Sequence, residues 1–262
     1  MATHLVLDIG NSRTKAGLFE QGRLVRRASF ENGNAAAVHA LIGTASVARV
    51  GVGSVAADTV AVEALRGLDL PVTTLRGDSP APLVNGYATP ATLGVDRLAN
   101  AVGARALFPD RPVLAIDLGS CVTYDLVDAE GVFRGGIISP GLHMRAKAMH
   151  TFSARLPLVE VPEEPVFIGD STTSCLASGA HHGLHAELAG LIGRCRQQHP
   201  GLVVVLTGGD APRFARALEN GIFAHPFLTL LGLHALLLHA HPPTGPDGRD
   251  RDQRQRDGAD QG

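Results

Sequence analysis

The stretch that decides the fold is residues 5–24, LVLDIGNSRTKAGLFEQGRL. An apolar run ends at Asp8 and Gly10, a polar turn follows, and a second extended run ends in a glycine turn at Gly22. Extended runs bounded by such turns predict a β-hairpin, because glycine supplies the positive φ that tight turns require. The first turn of this hairpin therefore carries an acid beside a glycine.

The same pattern returns in residues 113–133, VLAIDLGSCVTYDLVDAEGVF. An aspartate, Asp117, again precedes a glycine turn, and Gly131 follows it by the same fourteen residues that separate Gly22 from Asp8. Chance similarity of two Asp-x-Gly turns is the plainer explanation, but the matched second glycine disfavours it. The repeat predicts an α/β protein built from two duplicated domains that face each other.

Each hairpin is followed by a pattern of strand, glycine and helix, at residues 46–65 and 202–218. We expect the first domain over residues 1–110 and the second over residues 111–240. Residues 241–262 have almost no apolar content and alternating charges, which predicts a disordered tail.

Two long helices are expected. The first opens at residues 95–97 and has an apolar stripe at helical spacing, formed by Val95, Leu98, Ala99, Val102 and Ala106. The second runs from about Ser171 to Gln198 and should end before Pro200-Gly201. Within it, Gly179 and Gly183 would allow close packing on one face.

Composition excludes several classes of protein. The net charge of −2 gives no electrostatic case for nucleic acid or an anionic membrane. The sequence has no apolar run of about 18 residues and no basic segment before its first apolar stretch, so neither a spanning helix nor a signal peptide is expected. Its 3 cysteines suit neither a disulfide framework nor a zinc site. The expected compartment is the cytoplasm.

The two acidic turns are candidates for nucleotide phosphate binding. An aspartate at a strand end can hold a hydrated cation while backbone N–H groups of the glycine turn receive phosphate oxygens. The first turn adds polar donors and a positive charge, and Ser120 adds a hydroxyl at the second; the first-turn donors are Asn11, Ser12, Thr14 and Lys15. Ordinary turn chemistry explains one copy. Two copies together with a lysine favour a phosphate site.

Lys15 is one of two lysines in a chain whose other basic residues are arginines; the second is Lys147. A lysine retained against this bias indicates a position that needs a compact point charge.

Asp96 and Arg97 open the first long helix. Neighbouring helical side chains diverge by about 100°, so the two could hold opposite ends of one small molecule. A helix N-terminus stabilises the ionised carboxylate that a general base requires, and an arginine fork suits a carboxylate ligand. Ordinary N-terminal helix charges explain the pair equally well. Tyr87, in a loop bounded by glycine and proline, is either a pocket wall or a half-buried loop residue.

Several segments resemble a known superfamily. DIGNSRTK (residues 8–15) and IDLGSCVTYD (residues 116–125) resemble the two phosphate motifs of the actin, sugar-kinase and heat-shock-chaperone superfamily, and LTGGDA (residues 206–211) resembles its adenosine motif. Residues 85–104, NGYATPATLGVDRLANAVGA, are similar to the substrate segment of type III pantothenate kinases, and residues 135–157 and 168–183 also resemble that family.

The resemblance implies the actin-like ATPase fold, in which two ribonuclease-H-like domains enclose a cleft. It also implies phosphorylation of pantothenate by ATP, with Mg²⁺ and a monovalent cation (K⁺ or NH₄⁺), in a homodimer that needs neither nucleic acid nor membrane. By resemblance, Asp96 is the general base and Asp117 binds the monovalent cation. The implied ATP-binding residues are Asp8, Ile9, Gly10, Asn11, Ser12, Arg13, Thr14, Lys15 and Ser120. Those implied for pantothenate are Tyr87, Gly94, Val95, Asp96, Arg97 and Thr172.

The second phosphate motif departs from the usual Asp-x-Gly-Thr-Ala-Thr-Thr of the family. Ser120 keeps the first hydroxyl, whereas Val122 lacks the one that threonine would supply. Two rival functions stay open: another small-molecule kinase of the superfamily, such as a sugar kinase, and a nucleotide-binding regulator without turnover. Residues around the acceptor discriminate against a sugar kinase, which would present several Asp, Asn and Glu side chains there instead of a carboxylate-binding arginine.

Overall fold

The computed structural model describes residues 2–11, 13–54, 65, 70–216, 218 and 221–242. The expected tail lies outside these residues from position 243 onward, as does most of the helix pattern expected before position 65. None of the helices in the described part is long and apolar enough to cross a membrane.

The first sheet contains the first hairpin. Its five strands, in spatial order, are β3 (Arg23–Glu31), β2 (Arg13–Glu20), β1 (Thr3–Ile9), β4 (Val47–Ser54) and β5 (Val72–Leu75). The β1–β2 and β2–β3 pairs are antiparallel, whereas β4 runs parallel to both β1 and β5.

The second sheet repeats this order. Its six strands are β11 (Ile222–Ala224), β10 (Val203–Thr207), β7 (Val113–Leu118), β8 (Cys121–Val127), β9 (Val132–Pro140) and β6 (Val84–Asn85). Apart from β6, the sequence β9-β8-β7-β10-β11 matches β3-β2-β1-β4-β5 in both spatial order and strand direction. The predicted duplication is confirmed at the level of topology.

The glycines that end the two hairpins behave as expected. Gly22 and Gly131 both have φ of 80°, in the left-handed region that disfavours side chains. Gln21, which precedes the first of them, has φ of 52°, so the β2–β3 turn has positive φ at both central residues. Such turns match the right-handed twist of the flanking strands.

Two helices lie between the sheets and join them. The described helices are α1 (Ala35–Ile42), α2 (Val95–Leu107), α3 (Leu142–Phe152), α4 (Thr172–Gln198), α5 (Ala211–Ala215) and α6 (Leu228–Ala240). Helix α2 packs on the second sheet and α6 on the first, although each comes from the opposite half of the chain. Their apolar side chains form one core with the inner faces of both sheets. The expected domain boundary at residue 110 stays a prediction. Three elements make contacts across it: β6 pairs with β9, α2 packs on the second sheet, and α6 packs on the first.

The crossing of α2 and α6 depends on two glycines. A Cβ on Gly232 would overlap the backbone carbonyl of Ala99, and a Cβ on Gly103 would lie 2.7 Å from the carbonyl oxygen of Leu228. The two helix backbones therefore approach each other more closely than any larger residue permits.

The long helix over residues 171–198 is confirmed as α4, and a capping box between Ser171 and Ser174 begins it. The expectation for Gly179 and Gly183 is wrong, because a Cβ on either residue would meet nothing within 4 Å. The buried stripe of α4 is formed by other residues, among them Leu176, Ala180, Leu184, Leu188 and Ile192.

Candidate active site

Asp8 stands at the end of β1 opposite Lys15 on β2, its cross-strand partner. Burial raises the pKa of Asp8 to about 7; Lys15 opposes this rise, while Asp96 and Asp117 add to it. Three acids predicted from separate motifs therefore lie close enough to influence one another, with a single lysine among them. Their charges sum to −2 when ionised (three carboxylates and one ammonium), so this cleft favours cationic partners.

The turn between β1 and β2 is braced by its own polar groups. The Gly10 N–H donates to the Arg13 carbonyl at 3.0 Å. The Thr14 hydroxyl donates to Asn32 Oδ1 at 2.8 Å, and Asn32 Nδ2 donates to the Gly10 carbonyl at 2.9 Å. Thr14 is thus engaged in holding the turn, and Asn11 is exposed at its tip. Ser12 lies outside the described residues.

The side chains of two further members of this predicted ATP-binding segment are engaged with other parts of the protein. The Ile9 side chain is fully buried in the core on the other face of the first sheet. Arg13 lies along the edge strand, where its Nε donates to the Ser29 hydroxyl at 3.2 Å and its Nη2 to the Ser29 carbonyl at 3.0 Å. Because its side chain is buried, Ile9 could contact a phosphate only through its backbone.

Asp117 ends β7 in the place that Asp8 takes on β1. Burial raises its pKa, against the effects of Lys15 and of a hydrogen bond from Asn100. Asn100 Nδ2 donates to Asp117 Oδ2 at 3.1 Å. The other oxygen, Oδ1, lies under the glycine turn after β10, where a Cβ on Gly208 would come within 2.5 Å of it. Gly208, with φ of 94°, allows the predicted adenosine motif to close over this carboxylate.

Asp96 lies in the first turn of α2, and its geometry explains the Gly-x-Asp motif. The Arg97 N–H donates to Asp96 Oδ1 at 2.9 Å, so the carboxylate folds back over the helix N-terminus. A Cβ on Gly94 would collide with this oxygen. A side chain at position 94 would therefore displace the Asp96 carboxylate from this orientation, although the backbone there, with φ of −62°, would accept any residue.

Arg97 has a protein partner that the sequence did not reveal. Its Nε donates to Asp125 Oδ1 at 2.8 Å, and its Nη2 lies 2.7 Å from the same oxygen. Burial disfavours the charge on Arg97, but Asp125 outweighs this effect and raises the pKa of the guanidinium. The centre of the Tyr87 ring lies 5.6 Å from the guanidinium carbon, so the two side chains are neighbours.

The remaining predicted site residues are more dispersed. Val95 is buried in the core between the sheets, and Ser120 is exposed just beyond Asp117. Thr172 is exposed at the start of α4, where it lines a cavity of about 530 Å³ with Met149, Leu156, Asp170 and Cys175. No residue of the acidic cleft lines that cavity.

Asn100 and Asp125 are the residues of this region that the sequence reading missed. Asn100 stands four residues after Asp96, the spacing that puts two side chains on one helix face. Asp125 stands two residues after Thr123 on β8, the spacing that puts them on one face of a strand. Both signals are visible in the sequence once Asp96 and Asp117 are taken as a site.

The donor atoms of the cleft fit hard cations. Carboxylate oxygens are the ligands that Mg²⁺ and K⁺ accept, and burial raises the pKa of both Asp8 and Asp117 here. Among the described residues, no group of three or more His, Cys, Asp or Glu side chains is arranged to hold a metal ion by itself.

The architecture recurs in solved structures, two of which are described with a bound nucleotide analogue. A conserved putative Baf family transcriptional activator from Campylobacter jejuni matches 89% of this chain and 96% of its own, with a TM-score of 0.55 and 19% identity. A ROK family glucokinase from Streptomyces griseus, solved with glucose and AMPPNP, matches 88% of this chain and 98% of its own, with a TM-score of 0.51 and 14% identity. These likenesses establish the actin-like fold of two ribonuclease-H-like domains.

Sequence comparison is more specific. A protein from Bacteroides fragilis described as a type III pantothenate kinase is 39% identical over 235 residues, which cover 89% of this chain and 97% of the relative. One from Porphyromonas gingivalis is 37% identical over 242 residues, covering 90% and 98%. The sequence model of the family Type III pantothenate kinase matches residues 4–194. On these matches, and with the acids of both phosphate motifs and of the Gly-x-Asp-Arg segment close enough to influence one another, the chain belongs to the type III pantothenate kinase family.

Proposed function

We propose that this kinase transfers the γ-phosphoryl group of ATP to pantothenate in the cleft between the two sheets. The product is 4′-phosphopantothenate, and the reaction is the first step of coenzyme A biosynthesis. The observation that carries the proposal is the convergence of Asp8, Asp96 and Asp117 with Lys15, because these residues come from three different segments of the chain. Family membership supplies the identity of the acceptor.

In this proposal the nucleotide phosphates lie between the two acidic turns. Backbone N–H groups of residues 8–15, the Lys15 ammonium and the Ser120 hydroxyl receive phosphate oxygens. Asp8 would hold Mg²⁺ together with those oxygens, and Asp117 would hold the monovalent cation, K⁺ or NH₄⁺. Bound cations neutralise the charge of the transferring phosphoryl group, which is most of what such a transfer requires.

Asp96 is proposed to accept the proton of the pantothenate hydroxyl. Its Oδ1 is engaged by the Arg97 N–H, so Oδ2 is the atom assigned to the proton. The bond to the backbone also fixes the direction of the carboxylate before substrate arrives. Phosphoryl transfer depends on such positioning more than on covalent chemistry.

The acceptor pocket is assigned to Tyr87, Gly94, Val95 and Arg97. Arg97 Nη2 is buried and makes no hydrogen bond of good geometry in the described part of the chain, despite its ion pair with Asp125. A buried N–H group without a hydrogen-bond partner favours binding of a ligand that can accept one, such as the pantothenate carboxylate. Val95 contributes through its backbone, since its side chain is in the core.

The expected assay result is release of ADP with pantothenate and ATP in potassium, and background release with glucose or without acceptor. Turnover on sugars but not on pantothenate would contradict the proposed substrate. Equal rates in potassium, sodium and Tris would contradict the cation requirement. Nucleotide binding without turnover on any acceptor would favour the regulatory alternative.

Thr172 is proposed to complete the acceptor site of a partner subunit in a homodimer. The end of α3 and the segment that leads from it to α4 carry five exposed apolar side chains, which we call the α3–α4 patch. The patch comprises Phe152 (89% exposed), Leu158 (61%), Val166 (58%), Phe167 (71%) and Ile168 (79%). Apolar side chains exposed together in this way mark a surface that another protein covers. We assign a second copy of the chain to this surface, because a homodimer would also bring Thr172 of one subunit to the acceptor site of the other.

Replacing Ile168 by aspartate should therefore shift the chain from dimer to monomer, because the charge would be buried in the interface. Val25→Asp is the matched control, since Val25 is a 46% exposed apolar residue on the edge strand β3. Light scattering should give twice 27.3 kDa for the wild type and the control, and a lower mass for Ile168→Asp. A monomeric wild type with normal use of pantothenate would contradict the assignment of Thr172.

A further inference from the structure

A buried hydrogen-bonded chain connects Asp117 to the second helix of the crossing. Asn100 Nδ2 donates to Asp117 Oδ2 at 3.1 Å, and the Thr229 hydroxyl donates to Asn100 Oδ1 at 2.9 Å. Asn100 is 1% exposed and Thr229 is 3% exposed. The three residues lie on α2, on α6 and at the end of β7, so the chain ties three separate elements together.

The chemistry of the partners fixes the orientation of the Asn100 amide. An ionised carboxylate can only accept hydrogen bonds, so the amide must present its NH₂ group to Asp117. Its oxygen then faces Thr229, whose hydroxyl is able to donate. Without that hydroxyl, the amide oxygen would be a buried acceptor with no partner, a state that proteins avoid.

These bonds restrict the Asp117 carboxylate on one side. Its Oδ2 is held by Asn100, while its Oδ1 lies beneath the Gly208 turn. Rotation of the carboxylate would break the bond to Asn100. The amide also stands one helical turn after Asp96, so α2 carries the proposed base and the group that holds Asp117 on one face.

We propose that Asn100 is a positioning residue for Asp117 and that Thr229 is the hydroxyl that orients Asn100. Together they hold the carboxylate in the direction that binds the monovalent cation. This inference rests on the cation role proposed above for Asp117. It places on α6 a residue that acts on the cation site through Asn100.

The test compares Thr229→Val, which keeps the shape and removes the hydroxyl, with Thr229→Ser, which keeps the hydroxyl. Two quantities are measured at constant ionic strength: the potassium concentration that half-saturates turnover, and the rise of Tm when potassium chloride replaces choline chloride in the presence of a non-hydrolysable ATP analogue. Thr229→Val should raise the half-saturating potassium concentration by about 3- to 10-fold, the effect of one hydrogen bond. It should also reduce the potassium-dependent rise of Tm, whereas Thr229→Ser should retain both wild-type values.

A Thr229→Val protein that is less stable but responds to potassium as the wild type does would overturn the inference, because Thr229 would then be purely structural. If Thr229→Val does not fold, Asn100→Ala replaces it, with loss of the potassium response expected and a wild-type response overturning the inference. A wild type whose Tm and turnover ignore potassium would overturn the cation role of Asp117 and this inference with it. That outcome is distinguished from the others because it needs no variant.

Discussion

Replacing Asp96 by asparagine should lower kcat by about 10²–10⁴-fold, the usual effect of removing a general base. Asparagine keeps the shape of the side chain and an oxygen that can accept from the Arg97 N–H, but it cannot take the proton of the acceptor hydroxyl. The KM for ATP should change little, because Asp96 is not assigned to the nucleotide. Steady-state kinetics with pantothenate and ATP varied in turn would measure both effects.

The competing explanation is that Asp96 only stabilises the N-terminus of α2. It predicts a loss of stability of about 0.3–1 kcal/mol with turnover intact. Thermal unfolding and kcat measured on one preparation separate the two explanations. Asp78→Asn, which changes an exposed aspartate in a loop, is the control and should leave both quantities unchanged. A stable and fully active Asp96→Asn enzyme would refute the catalytic role.

Replacing Gly232 by alanine should produce a large loss of stability, although it adds only a single methyl group. The added Cβ would overlap the backbone of Ala99, which cannot move aside as a flexible side chain can. Overpacking of this kind costs about 1–3 kcal/mol and occasionally more. Since Ala99 lies next to Asn100 on α2, the displacement should also reduce kcat. Chemical denaturation monitored by circular dichroism would measure the free energy of unfolding.

Gly190→Ala is the matched control for this experiment. Gly190 lies in α4, where a Cβ would meet nothing within 4 Å. Because alanine is the better helix former by about 1 kcal/mol, this substitution should stabilise the protein or leave it unchanged. Equal effects of the two substitutions would show that close packing at the helix crossing contributes little.

The repeated hairpins were predictable because their signals are local. An acid before a glycine turn, and a second glycine fourteen residues later, specify both ends of a hairpin within a short stretch of chain. The strand expected after each hairpin is also present, as β4 in the first sheet and β10 in the second. Gly22 and Gly131 have the positive φ that the turns required.

The partners of Arg97 and Asp117 were not predictable in the same way, since Arg97 and Asp125 lie 28 positions apart and meet only when α2 packs on the second sheet. A sequence shows that an arginine is present but not which acid lies opposite it. The error at Gly179 and Gly183 has a different cause. The apolar stripe of α4 was readable from Leu176 onward, and it places both glycines on the other face.

The exchange of α2 and α6 between the sheets has a consequence for how the chain is made. Synthesis proceeds from the N-terminus, so the first sheet leaves the ribosome long before residues 228–240 exist. Its inner face, with Val6, Phe19 and Leu75, packs against side chains of α6, including Leu230, Leu233 and Leu237. During translation that apolar face has no native cover. The half of the protein that is synthesised first is therefore completed last, when the helix made at the end of the chain closes over it.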